Sequence, residues 1–511
     1  MVDWGKGYIT DIEYMDQFYP FMAPEMLSLA AVLNGFEPPD LGDSFAYCEL
    51  GCSHGLTSLI FAAVHPHARF HAVDFNPASI AHGQARARAA GLDNITFHER
   101  SFEELTEPSA GLPMFDIIAM HGVWSWISPE LQRAILGFVR SRLKPGGLVY
   151  VSYNALPAWG DTMPLQRVLR ELATSQHGRS DRAAGNAVAM INRLAEKKVI
   201  PPRFHEGLSR LNHDASRSAD LTYLVHEYLH TGWAPYYFAD VSRAFAEAKL
   251  SYAGSANLLN NFWSLGLNEE QVALLSEIAA PELRETLKDF STNARFRQDI
   301  YVRGARPMLA AKRQSFLKDI PFALTAPVPD VLEVHGPGVV LKPHPEIYRP
   351  MFEALKKRPH RVGELLSLPG LPPRHTPGAP DVIATLVSSN LAYFWRGQNR
   401  DAEASAARIN AVLEDVPFTQ ATTVAVPAIG LGIALAPTEL ALYTMLRRGE
   451  TPNAQGVAAH LVRLFREVGG CPIVDGKPVQ NEAEALAVVT KECAAKIAQN
   501  VPIWRALGMV P

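Results

Sequence analysis

The chain has 511 residues, which is too long for one compact core and predicts roughly two to four domains. Hydrophobic residues make up 48% and charged residues 20%, as in an ordinary soluble globular protein. The formal net charge of −4 argues against a nucleic-acid partner, because release of counterions requires a basic surface.

The N-terminus has acids and glycines where a signal peptide would have its apolar stretch, which predicts a cytoplasmic location. The most membrane-like segment, residues 424–437, is shorter than the roughly 20 residues that span a bilayer, and Pro427 interrupts it. We expect it in the core. The cysteines are too few and scattered for a disulfide framework or a paired zinc site, so small buried residues are expected at Cys48, Cys52, Cys471 and Cys493.

Between residues 45 and 153, apolar runs alternate with amphipathic segments, which is typical of a parallel sheet covered by helices. One helix is predicted to begin after Asn76 and another after Ser128, the latter ending before residues 144–147. The predicted class is doubly wound α/β. Its predicted strands are Phe45–Leu50, Arg69–Asp74, Ile95–Glu99, Asp116–Met120 and Leu148–Tyr153.

The loop after the first strand contains Gly51, Ser53 and Gly55 at alternate positions. Loops at the carboxyl ends of parallel strands meet ligands, and glycine lets the backbone approach them closely. The dinucleotide pattern G-x-G-x-x-G would need glycines at Ser53 and Leu56. The pattern acid-x-Gly-x-Gly-x-Gly, beginning at Glu49, fits with Ser53 as its one departure. A loop that is glycine-rich only to turn the chain is the alternative.

A carboxylate, Asp74, closes the second strand, where it could accept hydrogen bonds from both hydroxyls of a ribose. With "LKPGG" before the fifth strand, the pattern resembles the class I S-adenosylmethionine-dependent methyltransferases. The resemblance implies S-adenosylmethionine as cofactor, with Asp74 on its ribose and Phe75 beside its adenine. It also implies that the methionine and ribose portion is wrapped by Glu49, Gly51, Ser53 and Gly55.

Adenine recognition departs from this pattern. In the superfamily an acid after the third strand often contacts the adenine amino group, but Ser101 and Phe102 stand there. The resemblance therefore leaves three substitutes open: the Ser101 hydroxyl, a backbone amide, or stacking on Phe102.

The fourth and fifth strands end in residues rich in His, Trp, Tyr and Asn. Methyl transfer is an in-line displacement, in which the protein aligns the nucleophile and excludes water. Aromatic walls suit a sulfonium and an alkylammonium acceptor. A lysine acceptor must first lose its proton, to His121 or water. A purely structural role is the alternative for two of these residues: Trp126 could pack against the following helix, and the Tyr153 hydroxyl could cap the chain. The candidate active-site residues are His121, Trp124, Trp126, Tyr153 and Asn154.

Residues 115–130, 151–159 and 18–24 resemble a bacterial group of methyltransferases that carry a methyltransferase regulatory domain, and so do residues 223–257. That group includes rickettsial protein-lysine methyltransferases. The resemblance implies N-methylation of protein lysine side chains. Two alternatives stay open: O- or N-methylation of a small molecule or polysaccharide precursor, and a binding protein that retains only the fold.

A helical insertion is predicted from about residue 160 to 235, and the resemblance implicates such insertions in forming a homodimer. Two later segments, Leu250–Ala256 and Arg297–Arg303, are expected to complete a seven-stranded sheet. The predicted helices of the insertion lie near Pro164–Ser175, Ala183–Lys198 and Phe204–Leu211.

The insertion also contains H-E-x-x-H at His226–His230, which on a helix could bind zinc in a metalloprotease. Glu247 could serve as a third ligand, but Gly232 and Pro235 end the helix soon afterwards. We predict no metal site here and expect a helix face that packs beneath the catalytic domain.

Proline- and glycine-rich stretches break residues 322–381. Between and after these stretches, a helix, a short helix, and then a helix and a strand are predicted in a winged-helix-like order. The basic cluster 356–361 could suggest DNA, but the acidic balance favours an interaction or substrate-positioning module. The predicted domains are a methyltransferase core over 1–160, a helical insertion and regulatory region over 161–310, and a C-terminal winged-helix-like α+β region over 311–511.

Overall fold

The computed structural model describes residues 7–12, 16–42, 44–107, 111–217, 221–336, 339–372, 377–415, 421–467, 469–474 and 477–511. Its main sheet has seven strands in the order β3-β2-β1-β4-β5-β7-β6. These strands are β1 Ala46–Leu50, β2 Arg69–Asp74, β3 Ile95–Glu99, β4 Phe115–Met120, β5 Leu143–Asn154, β6 Leu250–Ser255 and β7 Phe296–Arg303.

The first five strands are parallel, and β7 pairs antiparallel with both β5 and β6. The five predicted strands are therefore confirmed, as is the prediction that the two segments after the insertion complete the sheet. The observed fold is the predicted Rossmann-like α/β class.

Helices cover both faces of this sheet, and their first turns follow the predicted capping. The Asn76 side chain accepts a hydrogen bond from Ala78 N, and Ser128 Oγ accepts one from Leu131 N. The helices are α1 Pro24–Leu33, α2 Leu56–Val64, α3 Pro77–Ala89, α4 Pro129–Arg142, α9 Phe238–Glu247, α10 Trp263–Gly266, α11 Glu269–Ser276 and α12 Pro281–Thr292.

The predicted insertion is helical and has its own apolar core, in which Trp159 packs against Tyr228 and Trp233. Trp159 follows closely after β5, so this core lies next to the carboxyl end of β5, where Tyr153 and Asn154 lie. Its helices are α5 Met163–Thr174, α6 Ser180–Glu196, α7 His205–Ala215 and α8 Thr222–Tyr228.

A buried ion cluster fastens β7 to α12. The Arg297 guanidinium lies 2.6 Å from Asp289 Oδ1, 2.9 Å from Asp299 Oδ2 and 3.2 Å from Glu285 Oε2. Lys288 Nζ lies 2.7 Å from the same Glu285 oxygen. Arg297 is only 5% exposed, so it compensates three carboxyls that are also shielded from water.

The C-terminal part packs on the α2 and α3 side of the sheet. Arg408 Nε donates to the carbonyl of Ala90 (2.8 Å), and Arg396 Nη1 lies 3.3 Å from Glu25 Oε1. Its helices are α13 Ala310–Asp319, α14 Pro345–Lys357, α15 Val362–Leu366, α16 Ala379–Ser388, α17 Arg400–Leu413, α18 Pro437–Arg447, α19 Ala454–Glu467 and α20 Glu482–Ala506.

Short strands accompany these helices: β8 Pro321–Leu324, β9 Val334–Gly336, β10 Val339–Leu341, β11 His360–Arg361, β12 Ala392–Phe394, β13 Thr422–Val426, β14 Leu431–Leu435, β15 Ile473–Val474 and β16 Lys477–Pro478. The elements α14, α15, α16 and β12 confirm the predicted helix, short helix, helix and strand, with the two-residue strand β11 between α14 and α15. The apolar segment near residue 430 is the hairpin of β13 and β14. Within the described ranges, no helix is long and apolar enough to cross a membrane. The domain boundaries at 160 and 310 and the cytoplasmic location stay predictions.

Candidate active site

A cavity of about 860 Å³ lies at the carboxyl ends of β1, β2, β4 and β5. Strands β1 and β4 are neighbours in the sheet, and the chain continues outward from them in opposite directions. Ligands of open α/β sheets bind at such a point of reversal. The topology therefore places a ligand site where the sequence predicted one.

The glycine loop after β1 is held tightly against its neighbours. Gly51 and Gly55 have φ values of 72° and 74°, which favour glycine. A Cβ on Gly51 would lie 2.6 Å from Val123 Cγ2, and one on Gly55 would lie 2.4 Å from Phe97 Cε1. Neither position accepts a side chain. Ser53 has a φ of 51° and is the one residue of this alternating set that carries a side chain.

The Asp74 carboxylate is oriented by two backbone donors. Ser53 N donates to Asp74 Oδ2 and Asn76 N donates to Asp74 Oδ1, each at 2.9 Å. Burial raises the pKa of Asp74, while these N–H groups lower it. Each carboxylate oxygen keeps a lone pair for a further donor in the cavity.

Glu49 lies at the end of β1 and is 4% exposed. Its Oε2 accepts a short hydrogen bond from Ser58 Oγ at the start of α2. Burial raises the pKa of Glu49 to about 7, partly offset by the Ser58 bond. A cation in the cavity would therefore favour ionisation of this carboxyl.

The three residues expected near the adenine also line the cavity. Phe75 packs edge-on against Tyr8, with ring centroids 5.6 Å apart. Ser101 N donates to Glu104 Oε2 (2.7 Å), and the Phe102 ring packs against the apolar core under β4. The structure thus brings Phe75, Ser101 and Phe102 to one end of the cavity.

Residues 7–12 and 16–19, here called the N-terminal strap, cross the cavity and bond to the H-E-x-x-H segment. Ile9 N donates to His230 Nδ1 (3.1 Å), and His226 Nε2 donates to the carbonyl of Ile12 (3.0 Å). The Tyr8 ring stacks on His230 at 4.0 Å. Both histidines therefore hold the strap. The described part of the chain has no group of three or more His, Cys, Asp or Glu residues arranged for a metal ion.

His121 lies at the end of β4 and lines the cavity. Its Nδ1 lies 2.8 Å from the Tyr150 hydroxyl, and its ring stacks on Tyr19 at 4.0 Å. Burial lowers the pKa of His121 to about 3. The imidazole is therefore neutral at physiological pH and is a poor proton acceptor there.

Of the remaining predicted residues, two line the cavity and two face away from it. Asn154 lines the cavity, but its neighbour Tyr153 points to the opposite face of β5, where its hydroxyl donates to Asp299 Oδ2 (2.6 Å). Trp126 lines the cavity, whereas Trp124 packs against Phe245 in the core. The structure does not bring Trp124 or Tyr153 to the site, because both face away from it.

We call the part of the cavity around Asn154 and Glu227 the Glu227 chamber. Asn154 Nδ2 donates to Glu227 Oε1 at 2.8 Å. Burial raises the pKa of Glu227 to about 8, and the nearby Asp214 charge adds to this effect. Sequence reasoning treated Glu227 only as part of a zinc motif. Of the residues that line the cavity, we assign to this chamber Trp126, Asn154, Trp159, Tyr223, Glu227 and Phe296, together with the charged Asp214, Arg217 and Arg295.

Comparison with known proteins indicates the class of protein to which this chain belongs. A family model described as a methyltransferase domain matches residues 48–149, and one described as a predicted methyltransferase regulatory domain matches residues 220–303. The uncharacterized protein sll1526 of Synechocystis is 30% identical over 534 residues, covering 99% of each chain. The uncharacterized protein RP789 of Rickettsia prowazekii is 27% identical over 57% of this chain and 53% of its own.

The fold matches a solved structure across its length. The structure of PKMT2 from Rickettsia typhi in complex with AdoHcy aligns with a TM-score of 0.69 and 19% identity, covering 97% of this chain and 99% of that one. The sheet, the glycine loop and the family matches together define a class I S-adenosylmethionine-dependent methyltransferase.

More narrowly, the chain belongs to the methyltransferases that carry a methyltransferase regulatory domain. It is an enzyme whose cofactor is S-adenosylmethionine, and the predictions of family, activity class and cofactor are confirmed.

Proposed function

We propose that the enzyme transfers a methyl group from S-adenosylmethionine to the side-chain nitrogen of a protein lysine. The Glu227 chamber supports this proposal most directly. A buried carboxyl at the end of an aromatic-walled cavity suits a ligand with an apolar stem and a cationic tip. A lysine side chain has both. The name PKMT2 of the structural relative agrees with a polypeptide acceptor.

The cavity suits the cofactor in charge and in shape. S-adenosylmethionine supplies an electrophilic methyl group on a cationic sulfur when bound. Two carboxyls, the buried Glu49 and the half-buried Asp74, offer acceptors for its ammonium and ribose hydroxyls, and Gly51 and Gly55 place no side chain in the way. Gly51, Ser53 and Gly55 would follow the methionine and ribose portion, and Phe75, Ser101 and Phe102 would lie on the adenine side.

The chain's own residues would position the acceptor and exclude water. Trp126, Trp159 and Phe296 would flank the lysine stem, and Asn154 would keep Glu227 in place through their hydrogen bond. His121 would be a neutral wall residue, fixed by Tyr150 and Tyr19. Alignment of an amine with a methyl carbon in a dry cavity accounts for much of the rate gain in such displacements.

The proposal is tested by incubating purified enzyme and radiolabelled S-adenosylmethionine with cell lysate. We expect label in protein, released as methylated lysine after acid hydrolysis, and no label with Asp74→Ala. Label confined to small molecules or polysaccharide precursors would refute the lysine proposal and favour that alternative.

We also propose that the enzyme is a homodimer, with α5 and α6 at the interface. Met163, Val168 and Met190 on these helices are each more than a third exposed, and Val199 after α6 is 64% exposed. Sedimentation velocity on the wild type and on Val168→Glu tests this. We expect a dimer that the charged variant dissociates, and a monomeric wild type would refute it.

A further inference from the structure

Glu227 is a titratable group that faces the cavity beside the carboxyl end of β5. Its pKa is higher than that of His121. Glu227 is 9% exposed, and within the described residues its hydrogen bond comes from Asn154 Nδ2 to Oε1. Its second oxygen is thus open to a donor in the cavity. Asn154 itself is fixed by Ser125 Oγ, which accepts from Asn154 N at 2.9 Å.

Other carboxyls near the chamber are already compensated. Asp214 Oδ2 lies 2.7 Å from Arg295 Nη2 and accepts a hydrogen bond from the Tyr228 hydroxyl at 2.7 Å. The contacts of this Asp214 oxygen are therefore made by groups of the chain itself. His121 is neutral and accepts poorly at physiological pH.

From these contacts we infer that Glu227 is the general base of the reaction, which removes the proton from the acceptor ammonium before methyl transfer. This inference rests on the proposed function. The Glu227 carboxylate takes one proton from the ammonium, which leaves a neutral carboxyl and a neutral amine. The amine lone pair then forms the new N–C bond as the S–CH₃ bond breaks, so the positive charge moves from sulfur to the methylated nitrogen. Glu227 afterwards releases its proton to solvent.

The burial of Glu227 favours this transfer. An ammonium and a carboxylate together are two charges with little hydration, and moving the proton between them removes both. A carboxyl with its pKa raised to about 8 is also closer in proton affinity to an amine than an ordinary carboxyl is. The charged and titratable groups that act on or are acted on by Glu227 are Asp214, Arg217, Tyr223, Tyr228 and Arg295, and His213, His226 and His230 line the same cavity.

The test compares the wild type with Glu227→Gln, which keeps the shape and an oxygen that can accept from Asn154. A protein or peptide acceptor identified with the wild type is used throughout. We expect kcat/KM to fall roughly 100-fold or more at pH 7, with unchanged S-adenosylmethionine affinity and melting temperature measured at the same pH. Glu206→Gln, which removes an exposed carboxyl on α7, serves as the matched control and should retain wild-type rates.

The pH profile separates a base from a structural residue. Wild-type kcat/KM should rise to about pH 8 and then level, as Glu227 ionises. The Gln variant should rise until the lysine itself ionises near pH 10.4, so its deficit shrinks about tenfold per pH unit above 8. Infrared titration of the free enzyme should show a carboxyl titrating near pH 8 that is absent from Glu227→Gln.

Failure of this inference differs from failure of the proposed function. If the wild type methylates protein lysine but Glu227→Gln stays within threefold of it, or its deficit is independent of pH, Glu227 is not the base. If the wild type labels no protein, the acceptor class is wrong, and the infrared titration alone then decides whether Glu227 has the proton affinity that the base requires.

Discussion

Replacing Glu49 by glutamine should make the ligand-free enzyme more stable at high pH and its cofactor binding less sensitive to pH. The folded pKa of Glu49 is about 7, above its ordinary value of 4.5, because the carboxyl is buried. Between these two values the folded chain binds more protons than the unfolded chain. Stability from this group is therefore fully present below pH 4.5 and is lost as pH rises to about 7.

The size of the effect follows from that interval. Each pH unit corresponds to about 1.4 kcal/mol, so the interval from 4.5 to about 7 corresponds to about 3 kcal/mol. Glutamine at this position does not titrate, and its side-chain oxygen can still accept from Ser58 Oγ. The variant's unfolding free energy relative to wild type should thus increase by about 3 kcal/mol between pH 4.5 and pH 8.

Urea unfolding of both proteins at a series of pH values measures this difference, in which the other titrating groups largely cancel. Calorimetry with S-adenosylmethionine supplies the second readout. Wild-type affinity for S-adenosylmethionine should fall up to tenfold for each pH unit below 7, because the cationic cofactor favours the ionised carboxyl of Glu49. The variant should have a low affinity that does not change with pH in this range. A stability difference that is independent of pH would refute the raised pKa and the reasoning built on it.

Asp74→Asn should weaken S-adenosylmethionine binding by roughly 10- to 100-fold, because the side-chain NH2 of the asparagine would face one of the two backbone N–H donors that Asp74 accepts from. Calorimetry showing less than a threefold change would contradict this. Gly55→Ala should lower the unfolding free energy by about 1 to 3 kcal/mol, since its Cβ meets the Phe97 ring, whereas Ser53→Gly should change it by less than about 1 kcal/mol; equal urea midpoints for the two variants would count against the loop geometry. Arg297→Ala should lower the unfolding free energy by about 3 to 5 kcal/mol, as Asp289 and Asp299 lose their cation and Glu285 keeps only Lys288, and a melting temperature within 2 °C (a tolerance of roughly 1 kcal/mol) would contradict that role.

Much of the cofactor half of the site could be predicted from local sequence. The acid, the alternating loop and Asp74 lie within about 25 residues, and regular strand and helix patterns surround them. Strand ends in a parallel sheet meet at one edge whatever follows them, so the position of this half needed no knowledge of distant contacts.

The acceptor half was predicted less completely. Tyr153 and Asn154 are adjacent, and the alternation of a strand permits only one of them to face the cavity. Which one does so depends on the packing of Tyr153 against Asp299 on β7, nearly 150 residues away. Trp124 and Trp126 were likewise separated by contacts with α9 and with the cavity.

The sequence by itself determined the fold class, the strands and the cofactor loop, because these depend on periodicity and on residues close together in the chain. Only the tertiary structure decided which contacts the side chains of the H-E-x-x-H segment make. Folding turns His226 and His230 toward the N-terminal strap and Glu227 toward Asn154. Glu227 has a raised pKa because the folded chain excludes water from it, and no local pattern of residues encodes that exclusion.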